Sequence, residues 1–142
     1  MHKFLVPVDG SESSMRALQY AIKLAKEHNS LALHLLNVHP EPIIYGELQV
    51  IVPREKIETL QRAHSMDILR PAIAAAKKAG VTHASEILIG DAAPLIVSRS
   101  EELHCDAIVM GTRGMSAIAN LVLGSVATKV VHLTKLPVTL VK

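Results

Sequence analysis

Five short apolar runs, at residues 3–9, 31–38, 82–89, 106–110 and 138–141, punctuate this chain, and several are nearly unbroken in Val, Ile and Leu. A strand with one face in water alternates apolar and polar residues, so such runs belong to strands covered on both faces, as in a parallel sheet. The segments between them carry a helical period. That alternation predicts a doubly wound α/β fold, an open sheet of five parallel strands with helices on both faces and three layers in all. A chain of 142 residues suffices for one such domain, residues 1–142, and is too short for two.

The first helix starts at Ser11, returns Met15, Leu18, Ala21, Ile22 and Ala25 to one face, and closes at His28-Asn29-Ser30. A second is expected over residues 55–79, with Ile57, Leu60, Leu69, Ile73 and Ala76 on its apolar face and Gly80 as its stop. Pro71 interrupts it and predicts a kink or a change of helix. Asp91 stands where it can cap a third helix, whose Pro94 falls in the first turn and forfeits no intrahelical bond. Ser125 opens a fourth, running through Val126, Val130 and Val131 to about residue 134. Residues 40–53 fit neither period and read as a long connection that covers a ligand site or serves a partner.

Apolar residues make up 49% of the chain, yet no run reaches the length of about eighteen residues that a membrane span requires. Met1-His2-Lys3 passes straight into a strand without the apolar core of a signal peptide, so a cytoplasmic location is expected. Cys105 is the single cysteine and reads as a small core residue. The net charge of +2 comes from scattered lysines and arginines, and only three aromatics are available for base stacking, which argues against nucleic acid as a partner.

The strand at 106–110 runs into Gly111-Thr112-Arg113-Gly114, and nine residues later comes Gly124-Ser125. Glycines so spaced let main-chain N–H groups approach an anion, and Ser125 brings the N-terminal amides of the next helix, so a phosphate chain is the expected guest. Taken alone, the glycine pair is equally consistent with turn punctuation. Asp9, at the end of the first strand, repels phosphate unless a cation intervenes, and is expected either to cap the first helix or to accept from ribose or base. Arg113 projects toward phosphate or into water.

These residues resemble the signature G-x2-G-x9-G-[ST] of the universal stress protein family. The opening Phe4-Leu5-Val6-Pro7-Val8-Asp9-Gly10-Ser11, the turn Gly90-Asp91-Ala92 and the closing Leu136-Pro137-Val138-Thr139-Leu140-Val141 resemble the same family, so the likeness spans the chain. The resemblance implies strand order 3-2-1-4-5, which sets the loops after the first and fourth strands face to face. It implies ATP, or the related AMP or ADP, in a pocket made by Pro7, Val8, Asp9, Val38, Met110, Gly111, Arg113, Gly114, Gly124, Ser125 and Val126. Within it the main chain of Val38 contacts adenine. It also implies a homodimer through the edge strand at 138–141. The family carries a proline at position 7, so the first strand is retained there with a local break in pairing.

The chain lacks G-x-x-x-x-G-K-[ST], and no second acidic residue positions an attacking water. A stress-response protein whose shape or partner preference changes with bound ATP is therefore the first reading. Slow hydrolysis or phosphotransfer, and a dimeric scaffold indifferent to nucleotide, are the alternatives. The eight histidines show none of the close pairs zinc favours, whereas Mg2+ arriving with a nucleotide needs only one or two protein oxygens.

Overall fold

The computed structural model describes residues 2–41, 53–114 and 123–142. Among them the elements run β1 (His2–Pro7), α1 (Glu12–Glu27), β2 (Leu31–His39), α2 (Arg54–Ala79), β3 (His83–Ile89), α3 (Ala92–Glu102), β4 (Ala107–Gly111), α4 (Ser125–Leu133) and β5 (Val138–Val141). The strands form one sheet in the order β3-β2-β1-β4-β5, every pairing parallel. Most of the connection expected over residues 40–53 lies outside the described residues.

Side chains on a strand alternate between faces, and each face of this sheet has its own core. Val6 of β1 and Val8 just beyond it pack with Leu33 and Leu35 of β2 against Ala17, Leu18 and Ala21 of α1 and Leu69, Ala72 and Ala76 of α2. Leu5, Leu36, Ile108 and Met110 point the other way, onto Ala93 and Ile96 of α3 and Ala127 and Val130 of α4. Burying each such leucine or isoleucine contributes about 1.5–3 kcal/mol, which is why apolar runs specify a sheet with two covers.

Helix α1 begins where the serine predicts: Ser11 is the N-cap, and its Oγ accepts from Ser14 N at 3.2 Å. Gly80 ends α2 with φ +70°, the left-handed turn that glycine adopts without strain. Pro71 brings no change of helix, because α2 runs through it as one element. The proline is exposed, while Leu69, Ala72 and Ala76 hold both flanking turns to the core. The buried face of α2 also differs from the apolar pattern. Leu60 is 60% exposed, and Gln61 and Ser65 are buried in its place. At α3, Asp91 occupies the N-cap position, but its side chain makes no capping bond.

Pro7 does coincide with an end of pairing. His2 and Val8 donate their N–H groups toward β2, to Ser30 and Leu36, so the odd-numbered residues of β1 face β4. The missing donor of Pro7 therefore lies on the β4 side, where pairing stops two residues earlier at Leu5↔Ile108.

One polar cluster interrupts the layer under α3. His34 of β2, 7% exposed, places Nε2 3.3 Å from Oε2 of Glu86 on β3. Arg99 of α3 grips that carboxylate with Nε and Nη2 at 2.8 and 2.9 Å. Burial lowers the His34 pKa below its ordinary 6.5, against the opposing pull of Glu86, and the nearby charges of Arg99 and Lys3 add to the lowering. The unfolded chain thus takes up this proton at a higher pH than the folded one. The resulting stability is complete above pH 6.5 and is lost as the pH falls through the lower folded value. Urea midpoints should therefore drop between pH 7.5 and pH 5, and His34→Gln should flatten that slope; an unchanged slope would assign the dependence elsewhere.

Candidate functional site

The first turn of α1 and the exit of β4 are locked together, and the cleft forms around that lock. Ser13 Oγ donates to the Arg113 carbonyl at 2.6 Å, and Ser11 Oγ reaches the same oxygen at 3.3 Å. A Cβ on Gly111 would overlap the side chain of Ser13 and stand 2.7 Å from its carbonyl carbon and 2.8 Å from Ser14 N. Gly111 is therefore glycine so that α1 can close on β4, a packing reason the sequence motif does not reveal. Gly124 is constrained in a related way. Its N–H donates to the Thr112 carbonyl at 2.6 Å, and a Cβ there would lie 3.3 Å from that oxygen and from Arg113 Cα. Only Gly114 faces the acidic side chain across the cleft, with Asp9 Oδ2 3.0 Å from where its Cβ would be.

The cleft encloses about 600 Å³ at the carboxyl ends of β1, β2 and β4. Pro7, Val8 and Asp9 line it from the end of β1 and the turn after it, Val38 from β2, and Met110, Gly111, Arg113 and Gly114 from β4 and its loop. Gly124, Ser125 and Val126 line it from the start of α4, so every residue singled out from the sequence borders one cavity. Asp9 is held by its own turn, Oδ1 accepting from Ser11 N at 2.9 Å, which leaves Oδ2 toward Gly114. Asp9 does not cap α1, because Ser11 takes that position. Arg113 is exposed at the mouth.

Main-chain groups of three segments border this space. Gly114 and Ser125 donate to no other main-chain group among the described residues, as expected for a loop leading to the first turn of a helix. Ile108 and Thr112 donate toward β5, so Gly111, of opposite parity, turns its N–H toward β1 beyond the last β1–β4 pair. On the other side, the last β1–β2 pair is Pro7↔Leu36. Leu36 accepts from Val8, so Val38 directs its N–H and C=O over the end of β1, where no ladder partner remains.

Sequence reasoning missed several wall residues: Ser14, Asn37, His39, Pro40, His64, Ile68, Ala92, Ile96, Thr112 and Ala127. Asn37 left a signal, being a polar residue in a largely apolar strand. It is 3% exposed, its Nδ2 donates to the Val8 carbonyl at 2.8 Å, and its Oδ1 has no partner among the described residues. His39 and His64 meet edge to face, ring centroids 5.7 Å apart, a contact between β2 and α2 that spacing does not encode. Cys105 lies apart from the cleft, in the core beneath α3 and α4, where burial pushes its thiol up and keeps it protonated.

An open parallel α/β sheet with a cleft beyond its carboxyl edge, flanked by a glycine-bearing loop and a helix N-terminus, defines the class of this protein. The chain belongs to the Universal stress protein family, whose profile matches residues 1–142. It is 33% identical to universal stress protein MJ0531 of Methanocaldococcus jannaschii over 142 residues, covering 99% of this chain and 81% of that one. Universal stress protein YxiE of Bacillus subtilis is 33% identical over 147 residues, 99% of each. Among solved structures, UspA of Lactobacillus plantarum superposes with a TM-score of 0.85 at 23% identity, over 99% of this chain and 97% of its own. A universal stress protein in complex with cAMP gives 0.71 at 28% identity, over 99% and 97%. A family member from Arabidopsis thaliana with AMP bound gives 0.73 at 20%, over 100% and 92%. Among the described residues no helix is long and apolar enough to cross a membrane.

Substitution separates the glycines of the motif. Gly111→Ala forces a methyl into the main chain of α1 and should destabilise the fold by about 1–3 kcal/mol. Gly114→Ala, which meets only a movable carboxylate, should lose well under half of that. Equal losses in chemical denaturation would refute the assignment of Gly111 to packing.

Proposed function

We propose that the cleft binds an adenine nucleotide, ATP or its relatives AMP and ADP, and that the protein acts as a nucleotide-dependent regulator or interaction module in the stress response that is general to its family. The observation that carries this reading is the placing of Gly114 and Ser125, with Asp9 opposite Gly114, around one cavity of about 600 Å³. That volume lies in the range of small-molecule sites. The cAMP complex of a 28% identical relative supports the same ligand class.

Phosphates belong at the β4 loop and the α4 N-terminus, where N–H donors and the helix dipole favour negative charge. The ribose belongs beside Asp9, since a carboxylate accepts from hydroxyls and repels phosphate. The base then extends toward Val38, whose N–H and C=O offer one donor and one acceptor to its edge. Mg2+ carried by the phosphates needs one or two protein oxygens, and Asp9 Oδ2 is the carboxylate oxygen of the wall not engaged by Ser11. In this reading the site holds its guest and couples occupancy to the α1–β4 lock.

The dimer belongs to this proposal. β5 is an edge strand of four residues, half-buried along most of its length, and Val131 and Leu133 of α4 are 44% and 53% exposed. Edge strands with apolar surroundings recruit another strand, and an antiparallel pair of β5 strands closes a twofold dimer.

Gly114→Val should weaken ATP binding at least about tenfold, as one side chain excluded from a tight site does, with the thermal midpoint little changed. Wild-type affinity in the folded variant, measured by calorimetry, would remove the phosphates from this loop. Deleting residues 138–142 should convert the dimer into a monomer or an insoluble chain, and an intact dimer by sedimentation would exclude β5 as the interface.

A further inference from the structure

We propose that the His39 side chain reads the six-position of the purine, accepting from the amino group that distinguishes adenine from hypoxanthine and guanine. This deepens the nucleotide reading and rests on it. Sheet order sets the ends of β4, β1 and β2 side by side, spaced about 4.8 Å apart. A guest with phosphates on the β4 loop therefore crosses β1 and carries its base to β2, roughly 10 Å away. The wall there is Val38, His39 and Pro40, with His64 and Ile68 reaching over from α2.

One hydrogen bond sets the tautomer of His39, and one ring contact orients it. Its Nδ1 lies 2.9 Å from the Pro40 carbonyl; a carbonyl only accepts, so Nδ1 carries the hydrogen and Nε2 of the neutral ring is an acceptor. His64 meets the ring edge to face, at 80° and 5.7 Å between centroids, which limits its rotation. Among the described residues the hydrogen bond seen for the His39 ring is that of Nδ1, and none is seen for Nε2. An amino group at the six-position donates to such an acceptor. An oxo group sets lone pair against lone pair, which costs the unmade bond and the desolvation of both atoms. The amino group has two hydrogens, one for the Val38 carbonyl and one for His39, so the two contacts do not compete. His64 is a positioning residue, acting only through the ring it braces.

The test uses ATP and ITP, which differ at the six-position, titrated into the full chain at pH 8. The wild type should prefer ATP by more than about tenfold. His39→Phe keeps the ring and the edge contact but not the acceptor, and should cut that preference by about tenfold, chiefly by weakening ATP. His64→Ala should give a smaller cut that His64→Phe restores. In wild-type protein, independent of any variant's folding, the 15N resonance of His39 Nε2 should move with ATP and stay with ITP. An undiminished preference in His39→Phe, a still Nε2 resonance on saturation with ATP, or equal affinity of the wild type for both nucleotides would each overturn the role of His39 and leave nucleotide binding standing. No heat with either nucleotide would overturn nucleotide binding itself.

Discussion

The seam between α1 and β4 is the constraint on which the rest of the site depends. Three serines at the start of α1 are buried there, a costly placement unless each hydroxyl is used, and each is. Ser13 Oγ donates to the Arg113 carbonyl. Ser11 Oγ reaches that oxygen and accepts from Ser14 N. Ser14 Oγ donates to the Ser11 carbonyl and accepts from Asp9 N at 3.4 Å. One network therefore caps a helix, anchors the loop that follows β4 and sets Asp9 opposite Gly114. The absent Cβ of Gly111 is its steric precondition, and any side chain at that position would prise the two sequence-distant halves of the cleft apart.

The cleft itself is what remains when the central strand stops early. β1 ends at Pro7 while β2 continues to His39, and β1 shares only two bridged pairs with β4. A sheet whose middle strand stops before its neighbours at the carboxyl edge leaves main-chain donors and acceptors without ladder partners there. Buried polar groups of that kind demand partners, so the same proline that weakens the ladder creates groups able to hold a guest. Strand order matters equally: with β1 between β2 and β4, the gap is walled on both sides and floored by Val8 and Met110, which are 1% and 5% exposed.

Much of the fold was legible because its signals are local. Apolar runs marked all five strands within two residues of their observed ends, and the serine and glycine punctuation of α1 and α2 matched the caps. Where the reading failed, a tertiary contact outvoted a local rule. Leu60 looked like core, but Gln61, whose Nε2 reaches the Pro40 carbonyl at 3.3 Å, takes the inward place. Pro71 allowed a change of helix, but α2 runs through it as one element. Gly111 keeps its place in the cleft wall, but it has a second reason to be glycine that no local rule shows, the close approach of α1. His39, His64 and Asn37 escaped notice for a related reason, since nothing in their spacing tells which strand end faces which helix.

The two ends of the cleft are built from different materials, and the difference bears on how such a protein varies. The β4 and α4 end uses main-chain amides, which any sequence supplies once the glycines permit the turn, so its chemistry is tied to the backbone path and changes only with the fold. The β2 and α2 end uses side chains on two elements that meet only here. The chain has three Phe, Trp and Tyr residues in all, and none lies in the described wall, so its flat rings are imidazoles that carry a donor and an acceptor as well as a face. A phenyl ring would offer a base only stacking, which every base accepts equally. An imidazole held in one tautomer offers direction, and direction is what separates one purine from another.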